Sequence, residues 1–313
     1  MKPSPSPVSR RTFLHSTVAA ALISQVGARA ADQGKSGYID AHVHVWTPDT
    51  QRYPRPATFT GKKDYSPASF TPEELFAHCR PAGVQRVVLI QMSFYQFDNR
   101  YMLDSMSAHP GVFGGVAVVD ETSREVRATM KKLAGQGVRG FRLYTDKAKA
   151  EAWLASPGMK TMWSYAADAG LAMCLLTGPE ALPPIRQLCV RYPKTRVVID
   201  HCARIGAKGE ILQSDLDQLC QLAEFKNVYV KTSAFYALGK KKAPYLDLGP
   251  MIRKLRDAYG ASRLMWASDC PFQVQEDRSY ADSIGLIRDR LSFLSADDKA
   301  WLLRKTAEKV YFS

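Results

Sequence analysis

The sequence predicts an α/β protein, a single-domain (β/α)8 TIM barrel, on three observations. Short apolar runs rich in Val, Ile, Leu and aromatic residues recur eight times from Tyr38 onward, as strands buried on both faces require. Helical signals fill the segments between them, and strand–helix alternation repeated eight times closes naturally into a barrel. Histidines and a carboxylate stand at the ends of three of the runs, where barrel enzymes keep their chemistry.

The predicted strands are, in order, Tyr38–Val43, Arg86–Gln91, Phe113–Val119, Val138–Tyr144, Ala172–Leu176, Arg196–Asp200, Val228–Thr232 and Leu264–Ala267. Between the first two, Thr71-Pro72-Glu73-Glu74 offers an N-cap, a proline at the first helical position and acids in the first turn. Apolar residues at 126, 130 and 133 give helical spacing to the stretch from Thr122 to Leu133. His109-Pro110-Gly111, Gly135 and Tyr192-Pro193 punctuate helix ends. Ser295-Ala296-Asp297-Asp298 caps a last helix running to about Val310. Residues 47–70 and Lys240–Pro250 read as long loops over the barrel mouth.

The chain has 313 residues, 46% hydrophobic and 23% charged, enough to bury a sizeable core without covalent staples. Its six cysteines (79, 174, 189, 202, 220 and 270) are scattered, with no C-x-x-C pair, and read as buried small hydrophobes. Ser9-Arg10-Arg11-Thr12-Phe13-Leu14 is a twin-arginine export signature. A short apolar stretch from Ser16 and an Ala28-Arg29-Ala30 cleavage site follow it. Residues 1–30 are therefore expected to be a removable signal segment engaging the twin-arginine export machinery, and residues 31–313 a periplasmic barrel. The apolar stretch is too short to span a membrane, so no stable anchor is expected. Net charge is +13, of which residues 1–30 carry +4. The excess favours a small anionic substrate; no basic motif with interleaved aromatics supports nucleic-acid binding. Oligomeric state is not legible.

The chemistry concentrates in three places. Asp40-Ala41-His42-Val43-His44 sets two imidazoles two residues apart on the first strand, on one face and suited to chelating one ion. Val198-Ile199-Asp200-His201 ends the sixth strand, and Met265-Trp266-Ala267-Ser268-Asp269-Cys270-Pro271 ends the eighth. His42, His44, His201 and Asp269 are thus the candidate catalytic residues and, if a metal is present, its ligands. The other three histidines (15, 78 and 109) fall in the signal segment or in predicted helices.

Taken together, IDAHVHVW, GVQRVVLIQ followed by DNRYMLD, GVRGFRLY, VVIDH and WASDCPF resemble the amidohydrolase superfamily, in the branch of the 2-pyrone-4,6-dicarboxylate and sugar-acid lactonases. The resemblance runs from Ile39 to Tyr311. It implies hydrolysis of a carboxylated lactone, with Asp269 as the base that deprotonates water and the three histidines stabilising the oxyanion. Binuclear members carry a bridging lysine on strand 4 and a histidine on strand 5. Here those strands offer Arg142 and Ala172-Met173-Cys174-Leu175-Leu176, which leaves one divalent metal, zinc first, or none.

For the anionic part of a substrate the candidates are Arg142 on strand 4, Arg204 after His201, and Lys231 near the end of strand 7. Ser93 and Asn99 after strand 2, and Tyr65 in the first loop, complete the substrate-binding set. Two other functions remain open on sequence alone: a zinc-dependent non-oxidative decarboxylase of an aromatic or unsaturated acid, and a periplasmic binding protein on a catalytically silent barrel.

Overall fold

The computed structural model describes Met1, residues 37–61 and residues 66–313. Residues 2–30 of the proposed signal segment and Tyr65 lie outside these residues. Tyr38–Ser313 forms one compact unit around eight strands ordered β1 to β8. They are β1 Tyr38–Val43, β2 Val84–Ile90, β3 Phe113–Ala117, β4 Val138–Tyr144, β5 Ala172–Leu176, β6 Arg196–Ile199, β7 Val228–Ser233 and β8 Leu264–Ala267. Each pairs in parallel with the next. The ring closes just beyond β8, where the Asp269 N–H donates to the His42 carbonyl at 2.9 Å and the His44 N–H to the Cys270 carbonyl at 2.8 Å. Asp40 seals this seam: one oxygen accepts the Ser268 N–H at 2.9 Å and the other the Tyr280 hydroxyl at 2.7 Å. Burial lifts its carboxyl to about 6, against the pull of those donors. The predicted barrel is therefore the observed one.

Two apolar layers follow from the strand period of two. Val87, Leu89, Phe141, Leu143, Val197, Ile199 and Trp266 pack outward in the larger cluster, under the helices. Ile39, Ala41, Val88, Ile90, Ala172, Cys174, Val198 and Met265 fill the lumen, which Ala307, Val310 and Tyr311 of the last helix close from below. Five cysteines are buried, one is half-buried, and all are free thiols, as small hydrophobes in a packed interior are.

Several boundaries differ from the sequence reading for local reasons. β3 stops at Ala117 because the Asn99 side chain takes over the backbone of Val118. It accepts the Val118 N–H at 3.0 Å and donates to the Val118 carbonyl at 2.9 Å. The helix expected from Thr122 begins at Val126. Asp120 accepts from both the N–H and the hydroxyl of Thr122, and the Ser123 hydroxyl accepts the Glu125 N–H, so the chain turns there first. The Thr71 cap forms as read: Thr71 and Glu74 bond each other reciprocally at the start of Pro72–Cys79. Ser295 and Asp298 do the same for the last helix, which runs through a π-turn at Trp301–Lys305 to Tyr311.

Candidate active site

His42 reaches the lumen through an irregularity that the sequence does not announce. Between Asp40 and Val43 the β1–β2 register gains a residue on β1. Ile39 and Ala41 already face the lumen, so strict alternation would turn His42 outward. The extra residue, a β-bulge, resets the phase, and Val43 joins the outer layer while His42 and His44 share the lumen. Bulges beside active sites re-aim side chains in this way.

His201 is presented by a second departure. β6 ends at Ile199, and His201, Cys202, Ala203 and Arg204 follow with φ between 50° and 57°. Four successive non-glycine residues in the left-handed region cost roughly 1–2 kcal/mol each. Such strain persists where the surroundings fix it, commonly at functional sites. Asp269 too has positive φ, at 64°, a conformation Asp and Asn tolerate better than most residues.

These elements bring the four expected residues together. Oδ1 of Asp269 lies 3.5 Å from Nε2 of His42, 3.5 Å from Nε2 of His44 and 3.8 Å from Nε2 of His201. It is buried and has no hydrogen-bond donor. The hydrogen-bond network assigns the ring protons. His44 Nδ1 faces the Ile90 carbonyl at 2.9 Å, so it carries a proton and turns Nε2 into the cluster. His201 Nδ1 lies 2.8 Å from the Ser233 hydroxyl, which itself donates to the Lys231 carbonyl, so Nδ1 carries a proton there as well. His42 Nε2 accepts from Nη1 of Arg142 at 2.9 Å, because a guanidinium can only donate. Its Nδ1 proton then points to Oδ1 of Asp200, 3.5 Å away.

Beneath His42, Lys231 and Asp200 form a fully buried ion pair at 3.1 Å, with Nε of Arg142 3.9 Å from the other Asp200 oxygen. Nζ of Lys231 is also 3.2 Å from His42 Nδ1. A neutral imidazole has one accepting nitrogen; the shorter Arg142 contact uses it, and Lys231 answers to Asp200. Burial, then the Lys231 charge, depresses the His42 pKa well below the ordinary value, and burial likewise depresses His201. Burial alone would raise both carboxyls. Protonated, the imidazoles of His201, His44 and His42 would outweigh it and hold Asp269 below the carboxylate range; Lys231, His42 and Arg142 do so for Asp200.

When the imidazoles are neutral, their Nε2 atoms and the Asp269 carboxylate make a cluster of acceptors, which a cation would satisfy. Donor atoms of His42, His44 and Asp269 all lie within 4.8 Å of one another, with the two Nε2 atoms 3.3 Å apart. Ligands of a tetrahedral zinc ion at their usual bond lengths stand about 3.3 Å apart. The donor set and the orphaned Asp269 oxygen therefore fit one divalent ion, on condition that the Arg142 N–H releases His42 Nε2.

Above the cluster opens a cavity of about 580 Å³ whose wall includes His44, Arg142, His201, Arg204, Tyr236 and Asp269. Lys241 and Arg278 also line it, and Asp269 is the sole acid among its lining residues. A hollow of about the same volume adjoins it, sharing Ser93, Arg142 and Tyr144 and walled by Phe59, Phe97 and Val118.

Of the residues expected to meet substrate, Arg142, Arg204 and Ser93 line the cavity. Two others stand outside the cavity wall. Lys231 is completely buried and pairs with Asp200 below the histidines. Asn99 is buried, and its amide also donates to the Phe97 carbonyl; it splints the loop after β2 to β3. Sequence reasoning missed Asp200, Ser233 and Tyr236. Asp200 precedes His201 in a motif already recognised, and Ser233 and Tyr236 stand at the end of β7, the position a barrel reserves for function. Hydroxyl side chains carry no spacing pattern that would single them out.

The fold and this cluster define a class, confirmed by comparison with known proteins: residues 39–312 match the model of the amidohydrolase family, and the chain belongs to it. Among curated relatives, an L-fucono-1,5-lactonase of Burkholderia ambifaria is 31% identical over 74% of this chain and 80% of its own length. A 2-pyrone-4,6-dicarboxylate hydrolase of Comamonas testosteroni is 26% identical over 80% of this chain and 81% of its own. A crystal structure of an amidohydrolase from Burkholderia multivorans with bound zinc covers 88% of this chain and 99% of its own, with a TM-score of 0.76 at 21% identity, which shows the shared barrel.

Proposed function

We propose that this protein hydrolyses a carboxylated lactone, of the 2-pyrone-4,6-dicarboxylate or sugar-acid type, to the open hydroxy acid. One observation carries the reading: a buried, ionised carboxylate oxygen without a donor, ringed by three imidazoles on the floor of a cavity whose other charges are all positive. Oδ1 of Asp269 takes a proton from water as the water oxygen attacks the lactone carbonyl. Arg142, already donating into the cluster, is the N–H donor placed to meet the developing oxyanion. Collapse breaks the ring C–O bond, and the proton held by Asp269 passes to the departing alkoxide. Arg204 and Arg278 grip the substrate carboxylate. The ion we assign to the cluster is a single zinc, held by His42, His44, His201 and Asp269; when bound it supplies Lewis acidity at the carbonyl and a more acidic water. The curated relatives support hydrolysis, since two of them are named as a lactonase and a pyrone hydrolase.

A lactone panel including L-fucono-1,5-lactone and 2-pyrone-4,6-dicarboxylate, followed by proton release to an indicator dye, tests the reading, with elemental analysis for zinc alongside. Saturable release of one proton per ring opened supports it. Carbon dioxide evolution from an aromatic acid, with no lactone turned over, rejects it in favour of decarboxylation. We further propose that residues 1–30 direct the chain to the periplasm by the twin-arginine route; replacing Arg10-Arg11 with lysines then retains the protein in the cytoplasm.

A further inference from the structure

The two oxygens of Asp269 live in different surroundings. Oδ1 faces the imidazoles with no donor of its own. Oδ2 accepts the Tyr236 hydroxyl at 2.7 Å, a short, charge-assisted bond. Tyr236 comes from a different strand end: it follows β7, in the turn Phe235–Ala237, and its ring lines the same cavity. Ala234, at the start of that turn, has φ of 54°, which swings the following residues back over the mouth. The ring is held in turn. The Arg278 guanidinium lies 4.9 Å from its centroid, itself fixed by a bond from Nε to the Gln275 carbonyl at 3.1 Å and an ion pair with Glu276 at 3.2 Å.

A carboxylate on a short side chain still turns freely about its last bond, a broad and roughly two-fold torsion. With only Oδ1 inside the imidazole ring, no protein donor on the His side of Asp269 fixes that rotation. The Tyr236 hydroxyl is the donor that does. It occupies one oxygen and leaves Oδ1 as the one carboxylate oxygen of Asp269 turned to the reaction side. We propose that Tyr236 is a positioning residue for Asp269: its hydroxyl locks the carboxylate so that Oδ1 alone meets the attacking water and later returns the proton to the leaving alkoxide. The proposal rests on the hydrolase reading for what the lock is for, while the lock itself is a matter of geometry.

Tyr236→Phe removes one oxygen and keeps the ring and its cation. With a lactone that the wild type hydrolyses, kcat falls 10- to 100-fold while KM stays within threefold. In the Asp269→Asn background the same change costs less than twofold, because the group being positioned is already gone. A purely structural tyrosine would leave the two losses multiplicative. A crystal structure of Tyr236→Phe decides the geometry without turnover: the Asp269 carboxylate is rotated or split between two orientations. An unmoved carboxylate, a kcat within twofold of wild type, or multiplicative losses overturn the proposal. If no lactone is turned over by the wild type, the hydrolase reading fails by itself, and the orientation of Asp269 in the variant still decides the lock.

Discussion

Lys231→Met tests the electrostatics under the site most severely. Lys231 is wholly buried, 3.1 Å from Asp200, and Asp200 is wholly buried too. Methionine keeps an apolar stem of similar length and removes only the charge. What remains facing Asp200 is His42 at 3.5 Å and Arg142 Nε at 3.9 Å, neither of which neutralises it as closely. Breaking one side of a buried pair costs about 3–5 kcal/mol, because the other charge is left unanswered in a poorly polarisable interior. At roughly 2–4 °C per kcal/mol for a large domain, the thermal midpoint drops by about 6–20 °C. Differential scanning fluorimetry reads this, with urea unfolding as a check. Lys231→Met/Asp200→Leu removes both charges and recovers at least half of the loss, since a buried pair contributes little net against apolar packing. A Lys231→Met variant within 1 kcal/mol of wild type, or a double variant worse than the single one, refutes the assignment of Lys231 to the support beneath His42.

Three other perturbations separate structural from functional roles. Asn99→Ala strands the Val118 N–H and carbonyl and costs about 2–4 kcal/mol by urea unfolding; kcat and KM of the surviving folded enzyme stay within threefold, and a selective rise in KM would restore Asn99 to the substrate set. Arg204→Gly relieves one left-handed residue, exposed at φ 57°, and stabilises by about 0.5–1 kcal/mol after the glycine entropy cost. It also raises KM for a carboxylated lactone at least fivefold, and an unchanged KM would remove Arg204 from the anion site. Thr71→Ala deletes one arm of a reciprocal cap and lowers stability by about 1 kcal/mol with activity untouched; a loss below 0.3 kcal/mol would show that the rest of the helix start holds without it.

The barrel was legible because parallel strands covered on both faces write themselves as apolar runs, and each run became a strand. The residue types at the site were legible for a related reason: a histidine or carboxylate at the end of such a run has few structural uses. What the sequence could not show is how the chain aims them. The β1 bulge that turns His42 inward leaves no mark in IDAHVHVW, where simple alternation happens to give the right answer for the 42–44 pair while hiding the change of phase after Ala41. The left-handed run at His201 contains no glycine to advertise it. The burial of Lys231 against Asp200 was not legible, because charge in a strand suggests a ligand contact, whereas depth in the barrel is a tertiary quantity. Nor does position after a strand reveal that both ends of the Asn99 amide are bonded to the backbone.

The most direct measurement is the steady-state rate of Asp269→Asn on a lactone that the wild type hydrolyses, taken with its circular dichroism and thermal midpoint. Asparagine tolerates the positive φ at this position as aspartate does, so the backbone is preserved and only the basic oxygen is lost. The account predicts a fall in kcat of at least about a thousandfold, within the combined range for losing a general base and its water alignment, with secondary structure unchanged. A folded Asp269→Asn enzyme retaining more than a tenth of the wild-type rate would contradict it.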